Sequence, residues 1–359
     1  MPILIPGTDD FHTMATLTDA INIRPFVPGL ISSLDWAEQG IYGRDLAIDR
    51  RYDGVDMVDE NPRGTPGSQV VIDDADPILL RVPHYGHDFV VRPEEVRGRR
   101  AFGQETVYEM PQDYQDRLLD RWRRDMDYTT EILRVGTVFG KVRKRDGAVR
   151  RDLTTVFGER PWVFGFPFAD QSKNFYRFLS AAKRVAEDGI GEMSLTGWRG
   201  FAARDMFNKA VYQKSVQDAY RFWDTSSVLR ADNTKAPFNI ITDATLEYYR
   251  NSTIPNSGGR KVFPEDAIVF VGTAPGQLQV RNSPREDMRI TNQEVGVPMY
   301  LSPEDLKHGK GVEVEGEMNT LAYVRRYKAV IIIVDTSAPN AAATIAAYTN
   351  GQGLDTFEF

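Results

Sequence analysis

The chain has 359 residues, 41% of them hydrophobic and 26% charged, which is enough apolar material for a real core and too much for a disordered chain. At about 150 residues per domain this length predicts about two domains, or one with large excursions. It has no cysteine and four histidines, which excludes a disulfide scaffold, a cysteine-ligated zinc or iron–sulfur site and a thiol nucleophile, and leaves little imidazole chemistry; a net charge of −7 argues against a chain whose main task is to coat nucleic acid.

The N-terminal stretch has only a few apolar residues before Pro6 and no basic region ahead of them, so no targeting signal is read there. The longest apolar run, Ala329 to Val334, falls far short of the roughly 20 residues that span a bilayer. A soluble, non-secreted protein without a membrane partner is expected. The sequon Asn251-Ser252-Thr253 is then a chance match, since glycosylation needs secretion.

Residues 1–44 carry Pro2, Pro6, Pro25 and Pro28 between short apolar patches, a pattern that cannot pack on itself and predicts an arm lying along something larger. Residues 45–97 alternate branched apolar with polar residues around Asn61-Pro62-Arg63-Gly64 and Pro66-Gly67, which predicts a long excursion of strands joined by a wide loop, with no helical periodicity inside it. Nine acids (Asp45, Asp49, Asp53, Asp56, Asp59, Glu60, Asp73, Asp74, Asp76) against Arg50, Arg51 and Arg63 give residues 45–76 a net charge of −6.

Between Pro111 and Gly136, Tyr114, Leu118, Trp122, Met126, Thr129 and Leu133 recur at three- and four-residue steps. This spacing predicts one amphipathic helix over 111–135, supported by the Asp113–Arg117 and Asp120–Arg124 pairs. Asp146-Gly147 between two alternating runs predicts a hairpin within 137–149, and six bases from Lys141 to Arg151 against Asp146 make it basic. Further helices are expected at 174–188, stopped by Gly189, and within 201–223. Short strands and turns follow at Phe238 to Ile241, Ala267 to Val271 and Pro275-Gly276. Leu321 to Tyr327 leads into Ala329 to Val334, read as a strand that alternates and is then buried on both faces. A polar, Ala-rich tail closes the chain, and its end at Phe357-Glu358-Phe359 could dock or fray.

No catalytic constellation survives inspection, and no cofactor is expected. His84-Tyr85-Gly86-His87 offers two imidazoles three residues apart, but Pro83 and Gly86 argue against the helix that such spacing needs and no carboxylate is fixed as a third ligand; no metal is read there. Asp73, Asp74 and Asp76 lack the Gly-x5-Glu continuation of a calcium loop and read as a solvated turn. Gly272 and Gly276 lie in a stretch without a Gly-Lys-Ser/Thr ending, and Pro275 removes an N–H donor, so a tight turn is expected there. No Gly-x-Ser-x-Gly elbow occurs. The basic hairpin has no clustered aromatics for base stacking, so pairing with an acidic subunit surface is as good a reading as nucleic acid.

Taken in order, the arm, acidic excursion, long helix, hairpin, mixed domain and returning strand resemble the major capsid proteins of tailed phages with the Hong Kong-97-type fold. More narrowly, the chain resembles the lambda-type (capsid protein E) family. Four stretches carry the likeness. These are Thr129-Thr130-Glu131-Ile132-Leu133 through Gly140-Lys141-Val142 with Asp146-Gly147 and Phe157-Gly158; Phe207 to Tyr220; Phe263 to Phe270 with Gly272 and Pro275-Gly276; and Lys310 to Val314.

The resemblance implies an α+β fold with an N-arm (1–44), an E-loop (45–97), a P-domain with spine helix and hairpin (98–165), an A-domain (166–309), and a returning P-domain strand with C-terminal tail (310–359). It implies a structural, non-enzymatic protein whose hexamers and pentamers close into an icosahedral shell around double-stranded DNA, held without sequence-specific contacts. The virion capsid is the expected location, after assembly in the host cytoplasm. Portal and decoration proteins are possible partners. Fewer than about fifty residues precede the E-loop, which implies a separate scaffolding protein. No lysine precedes Lys141, so the arm and E-loop cannot supply one to the isopeptide cross-links of one branch of the fold.

Charge adds an expectation of its own. Residues 97–151 hold fourteen bases and nine acids, a net +5, against −6 for 45–76. Asp73, Asp74 or Asp76 of one subunit is therefore expected to face Arg97, Arg99, Arg100, Arg121, Arg124, Lys141, Arg143, Lys144 or Arg145 of another. Two other readings remain open at this point: a nanocompartment shell of the same fold, and a soluble hydrolase built on carboxylates such as Glu265 or Asp266.

Overall fold

A computed structural model describes residues 18, 21–22, 29–50, 76–97, 110–190, 195–221, 238–241, 244–250, 253–288 and 293–356, and the structural statements below concern these. The chain runs through β1 (Trp36–Gly40), β2 (Asp45–Arg50), β3 (Asp76–Arg81), β4 (Tyr85–Gly86), β5 (Phe89–Val91), α1 (Pro93–Val96) and the long helix α2 (Pro111–Val138). Next come β6 (Lys141–Arg143), β7 (Val149–Asp152), α3 (Leu153–Phe157), β8 (Trp162–Phe166), α4 (Phe175–Ile190), β9 (Gly197–Ala202), α5 (Arg204–Val211) and α6 (Lys214–Arg221). The remainder is β10 (Phe238–Ile241), β11 (Ala244–Tyr248), β12 (Ala267–Thr273), β13 (Leu278–Asn282), β14 (Tyr300–Asp305), β15 (Val312–Met318), β16 (Thr320–Val324), β17 (Val330–Asp335) and α7 (Ala341–Thr349).

The central layer is a six-stranded sheet in the order β10-β11-β9-β12-β17-β8. It draws strands from three of the expected segments, on either side of positions 165 and 309. β17 runs antiparallel to β12 and parallel to β8. Every residue of β17 is buried, as expected for a strand covered on both faces. One face (Val163, Phe201, Val269, Val271, Ile332) packs toward the arm and the end of α2. The other face (Phe164, Phe166, Ile268, Phe270, Ile331, Ile333) packs against α4 and α5. A third cluster joins Leu119, Trp122 and Met126 of α2 to Leu301 and Val314 of the β14-β15 sheet.

Both helices expected to stop at glycine run through it. Gly136 lies inside α2 because the hairpin crosses it closely: a Cβ there would stand 3.1 Å from the Lys141 carbonyl oxygen and from Val142 Cα. The chain leaves the helix at Gly140, whose φ of +79° suits glycine. Gly189 in α4 likewise faces Lys328, with a Cβ position 3.1 Å from that side chain. The hairpin forms as β6 and β7, shorter than read, because residues 137–140 end the helix.

Other expectations shift as well. Residues 201–202 belong to β9, and two helices follow it. The 45–97 region does contain a helix, the short α1, whose Pro93 at the first turn fits a helix start. The returning strand is broken: β16 pairs with β13, and a 3-10 turn at Tyr327–Ala329 carries the chain into the six-stranded sheet. Tyr327 fixes this corner, fully buried and donating its hydroxyl to the Thr137 carbonyl at 3.0 Å. The Ala-rich tail is the helix α7. Ala is the best helix former, and Lys141 Nζ caps α7 at the Ala347 carbonyl (2.7 Å). Phe357-Glu358-Phe359 lies outside the described residues.

Candidate assembly surfaces

β2 and β3 pair only with each other, Asp45 opposite Arg81 and Arg50 opposite Asp76. Their alternation buries Leu80 and leaves Leu79 73% exposed. Arg81 Nε bonds Asp45 Oδ1 at 3.0 Å, and this contact holds the Asp45 carboxyl below its ordinary pKa. Arg151 Nη2 of β7 donates to the Arg81 carbonyl at 2.5 Å, fastening the root of the excursion to the hairpin.

The hairpin tip is set by local turn chemistry. Asp146 Oδ1 accepts from Ala148 N at 2.9 Å, and Gly147 N donates to Lys144 O at 2.9 Å. Arg260 Nη2 donates to the Asp146 carbonyl at 2.9 Å and pins the tip. Between this tip, α2 and the β4 segment lies an open cleft of about 760 Å³. Its lining brings Arg121, Arg143, Lys144 and Arg145 together with Arg150, His84 and His87, around a floor that includes Met126 and Ile132. Asp125 is the one carboxylate in that lining, 3.7 Å from His87 Nε2. A second cleft of about 650 Å³ shares His84 and Arg150. It is nearer to charge balance, since Arg285 there pairs with Glu315 and, at 2.8 Å, with Glu317.

Four of the nine bases expected at a subunit contact therefore meet in one cleft. Three described ones do not join them. Lys141 turns away to cap α7, Arg124 donates to the Asp120 carbonyl on its own exposed helix face, and Arg97 is exposed at the end of α1. Asp73, Asp74, Arg99 and Arg100 lie outside the described residues, and of Asp76 only the backbone is described. The two histidines face separate partners, His84 Nδ1 lying 2.9 Å from Asn319 Oδ1.

A second contact surface went unread in the sequence. The buried face of α2 includes Arg123, Asp127, Glu131 and Arg134, and these hold the arm. Glu131 accepts from Ile31 N (3.1 Å), Ser32 N (2.8 Å) and the Tyr249 hydroxyl (3.0 Å). Gly29 comes so close that a Cβ would stand 2.1 Å from the Glu131 carboxyl carbon. Arg134 pairs with Glu38 and lies 5.2 Å over the Trp36 ring, and burial pulls its guanidinium below the ordinary pKa. Arg123 bonds Asp127 at 3.0 Å and the Ile21 carbonyl at 2.8 Å. Their signal was present: Arg123, Asp127 and Glu131 recur every four residues, beside Trp122 and Met126.

The sequence model for phage major capsid protein E matches residues 13–334. The major capsid protein of Pseudomonas phage KPP10 is 23% identical over 289 residues, 74% of this chain and 80% of that protein. A crystal structure described as a prophage capsid protein from E. coli CFT073 covers 90% of this chain and 98% of its own at TM-score 0.58 and 13% identity. The mature capsid of bacteriophage PhiM1 covers 85% and 86% at TM-score 0.53 and 10% identity. At these identities the structures speak for the fold, which is the α+β Hong Kong-97-type capsid fold. With its family's sequence pattern running through the arm, α2, the hairpin and β17 alike, this chain belongs to the phage major capsid protein E family, as a structural protein of a self-associating capsid shell and not an enzyme.

Proposed function

We propose that the chain builds the head of a tailed phage, as hexamers and pentamers closing into an icosahedral shell around double-stranded DNA. Assembly in the host cytoplasm with a separate scaffolding protein, followed by contacts with a portal and a decoration protein, completes the reading. In it residues 1–44 act as the N-arm, 45–97 as the E-loop, 98–165 with 310–359 as the P-domain and 166–309 as the A-domain. The observation that carries it is the β2–β3 ladder, which joins no other sheet among the described residues and exposes Leu79. A surface of this kind is complete only when a neighbour covers it. Many modest contacts of this type add up through multivalency in a closed shell.

The same reading places the acidic 45–76 segment of one subunit against the basic cleft of the next. Asp73, Asp74 and Asp76 then face Arg121, Arg143, Lys144 and Arg145. Exposed pairs contribute under about 1 kcal/mol each, and repetition over the shell multiplies them. Electron microscopy with sedimentation of the full chain, expressed with and without its scaffolding partner, tests the shell; closed particles or capsomer rings are expected, and a persistent 40.6 kDa monomer under both conditions overturns it. Changing the three aspartates to lysine is expected to lower particle yield at least tenfold. Adding Arg143→Glu, Lys144→Glu and Arg145→Glu should restore part of it. Unchanged particles from the triple lysine variant would remove the charge pairing and leave the shell standing.

A further inference from the structure

The six-stranded sheet ends at β8, an edge strand of sequence Trp162-Val163-Phe164-Gly165-Phe166. It is apolar and aromatic, without charge or proline, which is the composition that pairs most readily with another chain. Because β8 meets β17 on one side only, Val163 and Gly165 turn their backbone groups outward.

Residues near the C-terminus occupy that edge. Asp355 N donates to the Val163 carbonyl at 2.8 Å, and Asp355 Oδ2 accepts from Val163 N at 2.8 Å. A side-chain carboxylate thus stands where a further strand would offer a carbonyl, so both groups of Val163 are satisfied and the ladder goes no further. Arg160 grips the carboxylate with both terminal nitrogens, at 2.7 and 2.8 Å, and its Nε donates to Gln352 Oε1 at 3.0 Å. The Arg160 and Asp355 side chains are largely shielded, the setting in which a two-pronged pair holds its geometry. Beside it Leu354 covers Gly165, where a Cβ would come within 2.7 Å of Leu354 Cδ1.

We propose that residues 352–355 are a plug that keeps β8 from pairing with β8 of a second copy, so that chains meet only through their intended surfaces. The plug works by satisfying one residue's backbone groups with a charged side chain, which closes the edge without extending it. The inference does not depend on shell closure, since it concerns a contact between two chains in solution.

The test compares the full chain with Asp355→Ala and Asp355→Asn by sedimentation over a concentration series and by hydrogen exchange of the 162–166 segment. Asp355→Ala should speed exchange there about tenfold or more and shift the protein toward dimers and irregular aggregates as concentration rises. Asp355→Asn keeps an acceptor for Val163 and should fall between. If Asp355→Ala fails to fold, Arg160→Gln removes the two-pronged hold on the Asp355 carboxylate while leaving the residues of β8 and Asp355 itself unchanged, and is expected to shift both readouts the same way. Unchanged exchange overturns the plug, and faster exchange without association overturns its guarding role.

Discussion

Along β12 and β17 the side chains from Ala267 to Val271 and from Val330 to Val334 are all apolar and fully buried. On the face of α2 that meets the arm, Arg123, Asp127, Glu131 and Arg134 are nearly as well shielded and all charged. Each region is an interior, but one is held by non-directional burial and the other by bonds that need a particular atom in a particular place. The sheet therefore tolerates change in proportion to volume lost. The arm seam fails when a single acceptor goes, because the backbone N–H groups it served have no substitute partner.

The sharpest test of this contrast pairs one substitution in each region. Phe270→Ala should cost about 3–5 kcal/mol through the cavity it leaves, read as a lower denaturation midpoint with amide protection weakened throughout the sheet. Glu131→Ala should cost a similar amount, about 3–5 kcal/mol, by stranding Ile31 N, Ser32 N and the Tyr249 hydroxyl. Its exchange signature should differ, with residues 29–40 opening while β12 and β17 stay protected. Equal loss of protection in both regions would break the distinction.

Alkaline pH should press on buried tyrosines in both regions, Tyr249 at the arm seam and Tyr327 and Tyr348 among the apolar side chains. Burial raises the pKa of Tyr249 above its ordinary value, with Glu131 adding to the effect, and burial also raises that of Tyr327 and pushes Tyr348 up to about 12. For a group whose pKa is raised on folding, the folded state keeps the proton longer than the unfolded one. Stability is then fully present below about pH 10, the ordinary tyrosine value, and for Tyr348 is lost as pH rises toward about 12. Thermal melts from pH 9 to 12 should show this decline, and Tyr348→Phe should make it shallower. The smallest effect belongs to Lys141→Met, which removes the cap on the Ala347 carbonyl. A loss under about 1 kcal/mol is expected, confined to faster exchange in α7.

Hydrophobic periodicity was legible wherever burial was apolar. It located α2, the double-sided β17 and the helix α4, and turn chemistry located the β6–β7 hairpin. It placed Tyr114, Leu118, Thr129 and Leu133 on the inner face of α2 together with Trp122 and Met126, and only the last two are fully buried. Apolar counting slid past the true stripe because charged residues occupy part of it, and a charge is read by default as facing water. Three of the five arginines and lysines that line the basic cleft were foreseeable for the opposite reason: Arg143, Lys144 and Arg145 sit beside a strong turn signal. Lys141 belongs to the same charge run but its Nζ bonds the Ala347 carbonyl of α7, and the register shift between Val142 and Arg143 separates it from the bases that line the cleft.

The sequence by itself determined the order of elements, the long helix, the hairpin and the apolar strands, because each follows from spacing over a few residues. Tertiary structure alone decided whether Gly136 and Gly189 ended their helices, where the returning strand broke, and which charges of α2 turned inward. Those outcomes depend on partners remote in the chain. Ile31 and Glu131 are 100 positions apart, and Lys141 and Ala347 are 206 apart. A local pattern cannot report a hydrogen-bond partner or a backbone crossing that exists only after the chain has closed over such distances.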